Sequence, residues 1–85
     1  MRYNVRFSNR GSKDYDKVKR SPLIKKANKI LDILENDPYS PPFEKLVDNL
    51  KGKYSRRLNI QHRIVYEIRE SERVVVILSM WTHYE

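Results

Sequence analysis

The chain has no cysteine among its 85 residues, which excludes a disulfide framework, a thiolate metal site and a cysteine nucleophile. Stability must come from packing, and the composition fits a reducing compartment. Long apolar runs are also missing. The longest, Val74 to Leu78, falls far short of the ~18 residues that a membrane-spanning helix requires. The first residues pass straight into Arg2 and Tyr3 without the apolar segment of a signal peptide, so no membrane association is expected and the cytoplasm is the expected location. No glycine-rich phosphate loop, Gly-x-Ser-x-Gly elbow or metal-spaced group of histidines and carboxylates is present. Nucleotide hydrolysis, serine-hydrolase chemistry and a resident metal or other cofactor therefore have no support.

What is present is core material and positive charge. Six tyrosines, two phenylalanines and one tryptophan, with clustered Val, Ile and Leu, exceed what disordered chains carry. A chain of this length supports one hydrophobic core, so residues 1–85 are expected to form a single domain. Eighteen Lys and Arg against eleven Asp and Glu give a net charge of +7, a balance that attracts polyanions through counterion release. The charge is uneven, with residues 1–30 and 51–85 basic and 31–50 acidic. Basic charge also serves solubility, so by itself it does not separate a nucleic-acid-binding protein from any other small basic domain.

Residues 2–7 alternate, with Tyr3, Val5 and Phe7 on one face, the period of a half-buried strand. Gly11 and Ser12 read as punctuation before a short, weakly amphipathic helix carrying Tyr15 and Val18. Ser21 and Pro22 suit a helix start, and Leu23, Ala27, Ile30, Leu31 and Leu34 form one apolar stripe that ends near Asn36–Asp37, before Pro38. From Pro38 to Lys53 a proline-rich connector offers Phe43, Leu46, Val47 and Leu50 as anchors to the core. Alternation returns from Tyr54 to Ile60 and at Ile64, Tyr66 and Ile68, with a tight turn at Gln61–His62 between them. After a second turn at Ser71–Glu72, Val74 to Leu78 is apolar on both faces, as a central strand is. The expected fold is a small α+β domain of order β-α-α-β-β-β, with both helices on one face of the sheet.

Side chains two apart on a strand share a face. Arg57 and Arg63 can thereby converge with His83, near the end of the last strand, on the face away from the helices, and Glu44 in the connector can reach the same place. A carboxylate, an imidazole and two guanidiniums are the groups that metal-independent RNA cleavage needs: a base for the ribose 2′-OH, an acid for the departing 5′-oxygen and cations for the phosphorane. Each has a plainer reading. Glu44 can be a solvated carboxylate, His62 a surface residue in a turn, and His83–Tyr84 a frayed end, although Trp81 beside them argues for docking. Arg56 shares a face with Leu58 and is expected to pack its stem at the core edge.

The run Tyr54-Ser55-Arg56-Arg57-Leu58-Asn59-Ile60-Gln61-His62-Arg63-Ile64-Val65-Tyr66, followed by His83-Tyr84, resembles the YoeB/Txe family of toxin endoribonucleases. Asp14-Tyr15, Lys25-Lys26-x-Asn28 and Pro42-Phe43-Glu44 to Leu50-x-Gly52 extend the likeness over nearly the whole chain. It implies an antiparallel-rich microbial-ribonuclease-like toxin fold and cleavage of messenger RNA in the ribosomal A site. The partners it implies are that mRNA on the ribosome, a YefM-like antitoxin, operator DNA reached only through the antitoxin, and a second copy of the chain. Carried over residue by residue, Glu44 matches the general base, His83 the general acid, Arg63 the main phosphate and transition-state contact, Arg57 an accessory cation and Tyr84 a positioner of substrate. Two departures stand out: Val47 replaces a lysine that many members carry, and the usual tryptophan-glutamine pair is absent near Lys19–Arg20. A non-catalytic basic module that binds RNA or the ribosome remains the competing class, for which Glu44, Arg63 and His83 need not act together.

Overall fold

Alternation at the start of the chain becomes strand β1 (Asn4–Phe7), and the computed structural model, which describes residues 2–81, continues with helices α1 (Asn9–Lys19) and α2 (Ile24–Asn36). Strands β2 (Glu44–Lys45), β3 (Lys53–Arg57), β4 (Arg63–Arg69) and β5 (Val74–Ser79) follow, with single 3-10 turns at Asp48–Leu50 and Glu70–Glu72. The strands form one sheet in the order β1-β5-β4-β3-β2, with β1 parallel to β5 and every other pair antiparallel. The doubly apolar β5 lies inside the sheet, as its pattern requires, and β1 lies at one edge. Val18 of α1 and Ala27, Ile30 and Leu34 of α2 are buried in one cluster with Ile64, Tyr66, Val75 and Ile77. That cluster is the α+β core. Among the described residues no helix is long and apolar enough to cross a membrane.

Several boundaries depart from the sequence expectation, each for a local reason. Gly11 and Ser12 do not interrupt the chain but lie inside α1, which begins after Ser8; the Ser8 hydroxyl caps it by accepting from the Gly11 N–H at 3.0 Å. Ser21 acts three residues before α2: its hydroxyl donates to the Val18 carbonyl at 2.8 Å and accepts from the Leu23 N–H at 3.1 Å, making the bend between the helices. The connector contributes the two-residue edge strand β2. Phe43 and Leu46 are half-buried as anchors, whereas Val47 and Leu50 are exposed beside the 3-10 turn. The alternating run from Tyr54 ends as strand β3 at Arg57 rather than at Ile60. Asn59 accepts from the Gln61 and His62 N–H groups through Oδ1, a side-chain turn that throws Ile60 into solvent at 90% exposure.

A polar clamp closes the sheet's far end. The Tyr3 hydroxyl donates to both oxygens of Glu70, at 2.9 and 3.1 Å, and the Tyr39 hydroxyl donates to Oε1 at 2.8 Å. Arg73 pairs with Oε2 at 3.1 Å and lies over the Tyr3 ring at 4.1 Å. Hydrogen bonds from Tyr39 and Tyr3, aided by Arg73, hold the Glu70 carboxyl below its ordinary value, and desolvation with the Glu70 contact pushes Tyr39 up to about 12. A depressed carboxyl contributes stability above its unfolded pKa and loses it as pH falls through the folded value. The urea midpoints of wild type and Glu70→Gln are therefore expected to differ by a constant amount between about pH 6 and 8, and to converge as the solution is acidified through the carboxylate range. A constant gap down to acid unfolding would contradict the clamp. At the alkaline end the raised tyrosine works in the opposite sense: its contribution is complete below pH 10.0 and is lost on the way to about 12.

Candidate active site

Strand register brings the site together. Glu44 is the cross-strand partner of Ser55, Ser55 of Val65, and Val65 of Ser79, while Arg57 partners Arg63 one step along. These residues share one sheet face; Tyr54, Arg56, Ile64 and Tyr66 take the other, which the helices cover. Parity thus divides the Ser-Arg-Arg run. Ser55 is buried beneath the site, Arg57 projects into solvent, and Arg56 is only 6% exposed, donating to the Ser40 carbonyl and so tying the connector to β3. The structural role expected for Arg56 holds.

Arg63 pairs with the Glu44 carboxylate through its guanidinium and also reaches the Ser55 hydroxyl at 3.4 Å. Glu44 remains well exposed, at 62% of its side chain, against 30% for Arg63. The base candidate is therefore open to substrate, and the cation candidate is held from beneath. A cleft of about 470 Å³ lies beside them, with Arg57, Pro42, Phe43 and, from α2, Lys26 completing its wall. Nothing in the sequence marks Lys26 for the site, because beside Lys25 and Lys29 on a helix it reads as part of a solvated surface. An aromatic ladder braces this wall: Phe43 meets Tyr54 edge-on at 5.6 Å, and Tyr54 stacks on Tyr66 at 5.8 Å.

The last strand reaches the same face through an irregularity. Tyr66 pairs with Ile77 but Val65 with Ser79, so Leu78 is the extra residue of a bulge. Val75 and Ile77 face the helices; beyond the bulge Ser79 stands with Val65, Ser55 and Glu44. His62 departs from expectation. It is 4% exposed rather than a surface turn residue, and its ring stacks on Trp81 at 4.0 Å and 25°. Trp81 is held in that stack, whereas the docking expected of the chain end beyond it falls on residues that are not described. His83 and Tyr84, the acid and substrate-positioning candidates, lie outside the described residues.

Residues 7–84 match the model of the YoeB-like toxins of bacterial type II toxin-antitoxin systems. The chain is 38% identical over 66 residues to Toxin YoeB of Synechocystis sp. (strain ATCC 27184 / PCC 6803 / Kazusa), covering 74% of this chain and 73% of that protein. It also resembles the solved YoeB-YefM complex from Staphylococcus aureus, with 32% identity, coverage of 99% and 100% of the two chains and a TM-score of 0.82. The YoeB dimer from the same organism matches with equal identity and coverage and a TM-score of 0.81.

Proposed function

This chain belongs to the YoeB-like toxins of bacterial type II toxin-antitoxin systems, and we propose that it is a ribosome-dependent messenger-RNA endonuclease of one domain, acting in the cytoplasm. The observation that carries the proposal is the cross-strand group of Glu44, Arg63 and Arg57 beside an open cleft.

In the free protein Glu44 and Arg63 occupy one another. A phosphate entering the cleft competes for the Arg63 guanidinium, whose planar fork suits two non-bridging oxygens, and this releases Glu44 to accept a proton. Glu44 takes the proton of the ribose 2′-OH as the 2′-oxygen bonds to phosphorus. The bond from phosphorus to the 5′-oxygen breaks, and His83 gives that oxygen a proton. Arg63 and Arg57 offset the charge that grows on the phosphorane, and Tyr84 positions the substrate. The products are a 2′,3′-cyclic phosphate and a 5′-hydroxyl; the steps use side chains alone, without metal or cofactor. A +7 surface favours both messenger RNA on the ribosome and an acidic antitoxin segment. Likeness to a toxin solved with YefM supports a YefM-like antitoxin as inhibitor, with operator DNA contacted only through it, and likeness to a solved dimer supports a second copy as a further partner.

Primer extension on ribosomes halted at a defined codon tests the proposal. New 5′ ends in the A-site codon are expected, carrying 5′-hydroxyls and dependent on the 2′-OH of the preceding nucleotide. The same RNA without ribosomes is expected to be cut far more slowly, because the ribosome supplies orientation and effective molarity. Equal cleavage of naked RNA would overturn the ribosome dependence. Binding without any cleavage would return the protein to the class of basic RNA-binding modules.

A further inference from the structure

One face of α1 is polar where a helix against a core is ordinarily apolar. Ser8, Gly11 and Asp14, spaced by three, all meet the bulged end of β5. The Ser8 N–H donates to the Ile77 carbonyl at 3.0 Å and its hydroxyl to the Leu78 carbonyl at 3.2 Å. Gly11 lies against Ile77, where a Cβ would stand 2.2 Å from the carbonyl oxygen. Asp14 is 5% exposed, and its Oδ2 accepts from two consecutive backbone N–H groups, Met80 at 3.0 Å and Trp81 at 3.2 Å, with Arg10 Nε 3.7 Å away.

A buried carboxylate needs a specific compensation, and here the compensation is the main chain at the point where it leaves the sheet. Trp81 is held on its other side by the ring of His62, the residue before Arg63. The His62 backbone is itself fixed: its carbonyl accepts from the N–H groups of Leu58 and Asn59 at 2.9 and 3.1 Å. Residues 80 and 81 are therefore clipped between α1 and the turn that leads into Arg63. In sequence, His83 follows Trp81 by two residues.

We propose that Asp14 is a positioning residue, which fixes where the C-terminal residues leave the sheet and through them sets the proton donor. The functional half rests on the cleavage mechanism proposed above, with His83 as acid. The fixing itself does not.

Trp81 is the chain's single tryptophan, so its emission reports the clip without regard to activity. In Asp14→Ala the emission is expected to move to longer wavelength and acrylamide quenching to rise. On ribosome-bound messenger RNA the turnover rate is expected to fall on the order of 100-fold, as for a misplaced catalytic group, with little change in KM. The loss is expected to shrink to a few-fold on a substrate whose 5′-bridging oxygen is replaced by sulfur, since a thiolate departs without a proton. Asp14→Asn, which keeps one acceptor oxygen, should recover most of both signals. Wild-type emission or wild-type cleavage by folded Asp14→Ala would overturn the proposal, and so would an equal loss on the oxygen and sulfur substrates. Should Asp14→Ala fail to fold, amide hydrogen exchange decides. Slow exchange at the Met80 and Trp81 amides of the wild-type protein supports the clip, and exchange there as fast as at exposed turn amides overturns it. If wild-type protein cuts no messenger RNA, the nuclease mechanism fails, while emission and exchange still judge the fixing of the chain end.

Discussion

Arg63→Ala is expected to lower single-turnover cleavage of ribosome-bound messenger RNA by on the order of 10²–10³-fold while the domain stays folded, the loss typical of removing one preorganised group from developing charge. The two effects separate because Arg63 lies on the sheet face away from the helix-covered core. Among its contacts are the Glu44 carboxylate and the Ser55 hydroxyl, both on the outer face, and Glu44 is largely exposed. An ion pair in such a setting contributes about 0–1 kcal/mol. Arg63→Lys is expected to recover only part of the rate, because an ammonium keeps the charge without the planar fork. Glu44→Gln isolates the base: the amide holds the same shape but cannot take the 2′-OH proton, and the rate should fall by roughly 10²–10⁴-fold. Thermal melts with single-turnover kinetics on the same preparations check all three variants. Wild-type-like cleavage by folded Arg63→Ala would remove Arg63 from the mechanism, and an unchanged rate in Glu44→Gln would remove Glu44.

Gly11→Ala is expected to destabilise the protein by about 3 kcal/mol, the upper end of the usual cost of overpacking. Intrinsic helix propensity argues in the opposite direction, since alanine in a helix interior is favoured over glycine by about 1 kcal/mol. Sterics should win. A methyl carbon here would lie 2.2 Å from the Ile77 carbonyl oxygen and 3.0 Å from its carbon, both main-chain atoms of an interior strand that cannot swing aside as a flexible side chain would. Relief requires α1 to move away from β5, which stretches the bonds from Ser8 to Ile77 and Leu78 and those from Met80 and Trp81 to Asp14. At roughly 4–8 °C per kcal/mol for a domain of this size, the melting temperature should drop by on the order of 10–20 °C. An unchanged or higher melting temperature in Gly11→Ala would mean that α1 and β5 do not meet this closely.

The glycine and its neighbours show where sequence patterns lose their grip. Periodicity finds a helix by its apolar stripe, and α2 presents one in Ala27, Ile30 and Leu34. The buried face of α1 runs Gly11, Asp14, Val18, so the same test sees a loop and then a weak helix. His62 escapes the pattern for a related reason. A polar residue after Asn59-Ile60-Gln61 looks like a solvated turn, and only Trp81, 19 positions later, makes it a buried stacking partner.

By itself the sequence determined the class of fold, the interior position of β5, the shared face of Arg57 and Arg63, and the family likeness. All of these follow from local alternation, apolar content or contiguous motifs, which act over a few residues. Tertiary structure alone decided that Glu44 pairs with Arg63, because that depends on the two-residue strand β2 taking its register from Ser55 and Tyr54. It also decided which face the chain shows after Ile77. Unbroken alternation would keep Ser79 on the helix side with Val75 and Ile77, whereas the bulge at Leu78 moves it beside Val65 on the face of Glu44 and Ser55. One extra residue reverses a strand's faces, and what holds it in place is the close approach of Ser8, Gly11 and Asp14, more than sixty positions away in the chain.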